Sequence, residues 1–92
     1  MKTIRSLAKA SENVFFGSHA RQRMEQRGIS DADAIRVLVL GEIKGNVTPG
    51  DKAGEWKCKV VARVKGSRET GVVTVTLELK KILVVTVEWE DP

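Results

Sequence analysis

The chain has 92 residues, 41% of them hydrophobic and 30% charged, which suits one soluble domain spanning residues 1–92 with a modest core. A single cysteine, Cys58, excludes an internal disulfide, and one cysteine with one histidine excludes a conventional zinc site, so neither metal nor cofactor is expected. Sixteen basic against twelve acidic residues give a net charge of +4 and favour a polyanionic partner.

Residues 2–10 carry Ile4, Leu7 and Ala8 at helical spacing and form either a short amphipathic helix or a frayed end. No continuous apolar run follows Lys2 and Arg5, so this is not a secretory leader. The longest apolar stretch, "ILVVTVEW", is too short to span a bilayer, and a cytoplasmic protein with no membrane partner is expected. "VFF" at 14–16 is an apolar entry segment or a brief strand.

The spacing then predicts two consecutive helices, 18–27 and 31–40. Ser18 reads as the cap of the first and Gly28 as its left-handed stop. Ser30 and Asp33 read as a capping box for the second, with Ile29 stapling onto Ala34. Ala34, Ile35, Leu38 and Val39 form its predicted apolar stripe, and Gly41 closes it.

From residue 42 the period changes to two. "EIKGNVT" is a weak strand and "NVTPGDKAGE" a loop; strands are predicted near 56–65, 71–79 and 82–89. In the first of these, Trp56, Cys58, Val60, Ala62 and Val64 oppose Lys57, Lys59, Arg63 and Lys65. In the next, Val73, Val75, Leu77 and Leu79 oppose Thr74, Thr76 and Glu78; in the last, Leu83, Val85, Val87 and Trp89 point inward. The expected fold is α+β: two N-terminal helices packed on one face of an antiparallel sheet of about four strands. The expected core joins Met24, Ile35 and Leu38 to Val60, Val75, Leu77, Val85 and Val87.

Two groups of residues carry candidate chemistry. His19, Arg23 and Arg27 fall on one helical row, four residues apart. Stacked arginines repel, so either carboxylates such as Asp31, Asp33 or Glu42 pair with them, or the row binds a phosphate through its planar donors. His19 is the one side chain with an ordinary pKa suited to acid–base transfer near neutrality. The second group is Lys57, Lys59, Arg63 and Lys65, either a solvated face that resists aggregation or a track along a nucleic-acid backbone. Both tryptophans fall on the apolar parity of their strands, which argues for packing over base stacking.

The pattern S-x-H-A-x-x-R-M-x-x-R-G-I stands here as Ser18, His19, Ala20, Arg23, Met24, Arg27, Gly28 and Ile29. With an acidic second helix and a closing "TV" strand, it resembles a family of small bacterial proteins carried as a domain of unknown function, over roughly residues 14–90. That family in turn resembles RelE-like and BrnT-like toxins, although this chain has no tyrosine. The resemblance implies a RelE/BrnT-like fold and metal-independent RNA cleavage within a toxin–antitoxin-like system, with RNA and an antitoxin-like protein as partners. On that reading His19, Arg23, Arg27 and Arg63 form the catalytic set, with His19 and Arg23 or Arg63 converging on one anion. Glu78 and Glu88 are further candidate bases. The alternative is a non-catalytic module that docks a protein or nucleic-acid partner.

Overall fold

The computed structural model describes residues 1–66, 68–78 and 80–90. It is an α+β protein with α1 (Lys2–Ala8), β1 (Val14–Phe16), α2 (Ser18–Arg27), α3 (Asp31–Leu40), β2 (Glu42–Pro49), β3 (Glu55–Lys65), β4 (Arg68–Leu77) and β5 (Lys81–Trp89). The five strands form one sheet in the order β1-β5-β4-β3-β2. β2 to β5 are an antiparallel meander, and β1 runs parallel to β5 at the far edge. The sheet therefore has five strands where about four were expected, and the added strand is the "VFF" segment.

All three helices lie on one side. Ile4 and Ala8 of α1, Ala20 and Met24 of α2, and Ala34, Val37 and Leu38 of α3 share a core with Val60, Val72, Ile82, Val84 and Val87. Helix α3 is closed as its sequence predicts. Ser30 Oγ accepts from the Asp33 amide and the Asp33 carboxylate accepts from the Ser30 amide, both at 3.1 Å. At its other end Arg5 reaches from α1, donating to the carbonyls of Val39 (2.8 Å) and Gly41 (3.0 Å), so a cation meets the negative end of the helix. Gly41 is required by contact rather than by φ: a Cβ there would fall 2.4 Å from the Val61 carbonyl oxygen. α2 differs slightly from expectation. Its cap is Gly17, with Ser18 as the first helical residue, and no side chain caps it. Gly28 does adopt the left-handed stop, at φ 67°.

The strand faces differ more. β3 is as predicted around Cys58 and Val60, which are buried, although Trp56 is exposed. β4 is reversed: Thr70, Val72, Thr74 and Thr76 point into the core, while Val73, Val75 and Leu77 lie half-buried on the opposite face. The register explains this. Val73 pairs with Lys59 and Val75 with Lys57, and directly paired residues share a face, so the lysines of β3 dictate the parity of β4. Threonine is small enough to accept the inner positions; Thr74 Oγ1 sits 3.9 Å from Cys58 Sγ. β5 changes phase midway. Val73 pairs with Thr86 but Thr74 with Val84, leaving Val85 as a bulge. Ile82 and Val84 are inward before it and Val87 after it, so of the residues expected inward Leu83 and Val85 are not. Leu79 lies outside the described residues.

Candidate nucleic-acid interface

The helical row is exposed only at its first member. His19 is exposed in the first turn of α2. Arg23 is half-buried and donates to the Gln26 side chain at 3.1 Å. Arg27 is half-buried, and its Nη1 is fully enclosed with no hydrogen-bond partner among the described residues. Two of the carboxylates expected to neutralise this row are engaged elsewhere: Asp31 pairs with Arg21, and Glu42 with Arg5 at 3.2 Å. Arg21 also lies over the Phe16 ring, 4.5 Å from its centroid.

The other predicted group occupies the face of the sheet that no described helix covers. Successive rows cross this open face. Phe15, Leu83, Val75, Lys57 and Thr48 form one, and Thr86, Val73, Lys59 and Lys44 the next. Glu88, Gly71, Val61 and Glu42 follow. Lys44, Lys57 and Lys59 thus gather on β2 and β3, and Glu88 stands across from them on β5. Arg63 is exposed further along β3, paired in register with Glu69. The side chain of Lys65 lies outside the described residues.

This placement corrects one expectation. Arg63 projects from the open face, whereas α2 packs on β5 from the covered face, so the sheet separates Arg63 from His19, Arg23 and Arg27. The four do not form one cluster.

Two hollows adjoin on the open face. One, of about 330 Å³, is lined by Lys44, Asn46, Thr48, Lys57, Lys59 and Glu88, with Val73 and Cys58 also in its wall. The other, of about 540 Å³, has an apolar floor of Val75, Leu77, Leu83 and Val85 under the 49–55 loop. Lys57 and Thr48 line both. Lys57 is exposed and has no ion pair among the described residues.

Its neighbours are held more tightly. Lys59 Nζ lies 2.8 Å from Glu90 and 3.5 Å from Glu88, and Lys44 Nζ lies 3.2 Å from Glu90. The Glu90 side chain is only 6% exposed. Burial alone would raise its pKa, but the hydrogen bonds and charges of Lys59 and Lys44 outweigh burial and hold it below the usual carboxylate range. The Lys59 ammonium is correspondingly pushed up, first by its hydrogen bond to Glu90. Gly71 makes room for this cluster: a Cβ there would fall 2.5 Å from Glu90 Oε2. Sequence reasoning missed Glu90 and Gly71, because alternation names the face of a residue but not a pairing across four strands. Burial pushes the Cys58 thiol up, which disfavours the thiolate form.

A family model described as a domain of unknown function, DUF4258, matches residues 16–89. The chain belongs to the DUF4258 family. The DUF4258 match takes in α2, α3 and β2 to β5, hence both the helical row and the open face, and leaves out α1 and Glu90. No curated protein and no solved structure matches the chain.

Proposed function

We propose that this protein binds single-stranded RNA on its open sheet face and cleaves it as an endoribonuclease, the activity implied by the resemblance to RelE- and BrnT-like toxins. The observation that carries the binding is Lys57. Among the described residues it is a cation without an ion pair, at the junction of an apolar hollow and a polar one. A nucleotide has the same two halves. Its base suits the floor of Val75, Leu77, Leu83 and Val85, and its phosphate suits the Lys57 ammonium beside the Thr48 hydroxyl. Lys59 and Lys44 contribute less, because Glu90 and Glu88 already neutralise them.

The position of His19 favours a second reading, a non-catalytic RNA-binding module. The imidazole lies on the helix layer, with the sheet between it and any phosphate at Lys57. One pair of assays separates the two. Affinity for a short single-stranded RNA is measured across a salt series, and the integrity of the bound RNA is followed by gel. Binding should weaken steeply with salt, and Lys57→Glu should weaken it at least tenfold and flatten the slope. Intact RNA under saturating wild-type protein leaves the module; an unchanged affinity in Lys57→Glu removes the face as the RNA site.

A further inference from the structure

We propose that Glu88 is the general base of the cleavage reaction, acting across the polar hollow from Lys57. This inference rests on the reading of the open face as an RNA site.

The reaction needs a base for the ribose 2′-hydroxyl, cations for the charge that builds at phosphorus, and an acid for the departing oxygen. The carboxylates near the open face are not equivalent. Glu90 is 6% exposed and gripped by two lysines. Glu42 is paired with Arg5. Glu55 accepts from the Lys52 amide, within the loop that it closes. Glu88 is different. Its side chain is 42% exposed, it lines the polar hollow, and its sole ion-pair partner among the described residues is Lys59, at 3.5 Å. Lys59 makes its closer contact, 2.8 Å, with Glu90. The buried carboxylate therefore satisfies the lysine and leaves the outer one open to a substrate. Glu90 is in this sense a positioning residue: it fixes the Lys59 ammonium beside Glu88 without reaching the hollow itself.

The step balances with groups on this face. A Glu88 carboxylate oxygen takes the proton of the 2′-hydroxyl as the 2′-oxygen bonds to phosphorus. The phosphorus–O5′ bond breaks, and the departing 5′-oxygen takes a proton from the Lys57 ammonium. Lys57 faces the non-bridging oxygens while the charge is greatest, and Lys59, held by Glu90, is the lesser contributor. The products are a 2′,3′-cyclic phosphate and a 5′-hydroxyl, and solvent returns the proton from Glu88 to Lys57.

The test compares wild type, Glu88→Gln, Glu88→Asp and His19→Ala, each for RNA affinity and for single-turnover cleavage with the termini identified. Glu88→Gln should lower cleavage at least 100-fold, within the usual 10²–10⁴ range for a general base, with affinity held within about threefold. Glu88→Asp should recover part of the rate. Glu88→Gln retaining more than a tenth of the rate overturns the assignment, as does wild-type RNA binding without cleavage, or a 100-fold loss in His19→Ala alone. Absence of RNA binding by wild type at low salt instead overturns the reading of the face itself. Far-ultraviolet circular dichroism of each variant separates loss of chemistry from loss of fold.

Discussion

The Glu90 carboxylate lies 2.8 Å from the Lys59 ammonium, in space that exists because residue 71 has no side chain. Glu90 follows β5 and Lys59 is in β3, so the contact spans β4 at Gly71, which pairs with both Glu88 and Val61. A methyl group at 71 would meet Glu90 Oε2 at 2.5 Å and the Lys59 stem at 3.2 Å. Alanine is ordinarily better than glycine in a strand by about 0.5–1 kcal/mol. Here overpacking should win, and Gly71→Ala should destabilise by about 1–3 kcal/mol in urea denaturation. In a Glu90→Ala background the clash is gone, and the same change should be neutral or stabilising. Equal effects in both backgrounds would show that Glu90 does not occupy the space above Gly71.

The same cluster sets a pH dependence. The folded-state pKa of Glu90 is depressed, so its stabilising contribution is fully present above the unfolded value, about 4.3, and is lost as pH falls through the lower folded value. The folded-state pKa of Lys59 is raised, so its contribution is present below about 10.4 and is lost as pH rises through the higher folded value. Glu90→Gln should lower the denaturation midpoint at neutral pH. The gap to wild type should close as pH falls through the depressed folded value of Glu90, where the wild-type carboxyl becomes protonated as well. A gap that persists unchanged into acid would mean that the glutamine acts through packing and not through charge.

Ile82 and Leu83 are chain neighbours with opposite fates. Ile82 is fully buried under the helices, and Leu83 is half-buried on the open face. Ile82→Ala should cost about 2–5 kcal/mol, the usual range for a buried isoleucine, and Leu83→Ala and Leu77→Ala markedly less. If Leu83→Ala or Leu77→Ala costs as much as Ile82→Ala, the open face is covered in solution.

That contrast marks how far the sequence could be read. Capping chemistry is local, so Ser30, Asp33, Gly28 and both ends of α3 were legible from residue types alone. The faces of β4 and β5 were not. "VVTVTL" offers a β-branched residue at every parity, and the choice between Val75 and Thr74 is made by the neighbouring strand through Lys57 and Cys58. The Val85 bulge then breaks alternation where no glycine or proline announces it. The site shows the same division. Lys57 and Lys59 were legible as basic positions on one face, but whether each is free or neutralised depends on Glu88 and Glu90, about 30 residues away.

The capping box offers a local test. Ser30→Ala removes the acceptor for the Asp33 amide, one of the orphan donors of the first turn of α3. The loss should be about 1 kcal/mol, and Ser30→Asp should restore most of it. A Ser30→Ala variant with unchanged stability would mean that the exposed amide is solvated equally well by water.

Arg27 separates a phosphate-binding helix from a structural one. Its Nη1 is enclosed without a hydrogen-bond partner among the described residues, and leaving a buried donor unsatisfied costs about 1–3 kcal/mol. Against this stands the favourable position of a cation in the last turn of α2, worth about 0.3–1 kcal/mol. The penalty is the larger of the two, so Arg27→Leu should stabilise the protein by on the order of 1 kcal/mol in chemical denaturation. RNA affinity should stay within about twofold, because α2 packs on the covered side of the sheet, across from the lysines of the open face. The opposite result, lower stability together with a tenfold loss of RNA affinity, would mean that the guanidinium turns outward to hold a phosphate. The helical row of His19, Arg23 and Arg27 would then be the RNA site in place of Lys57.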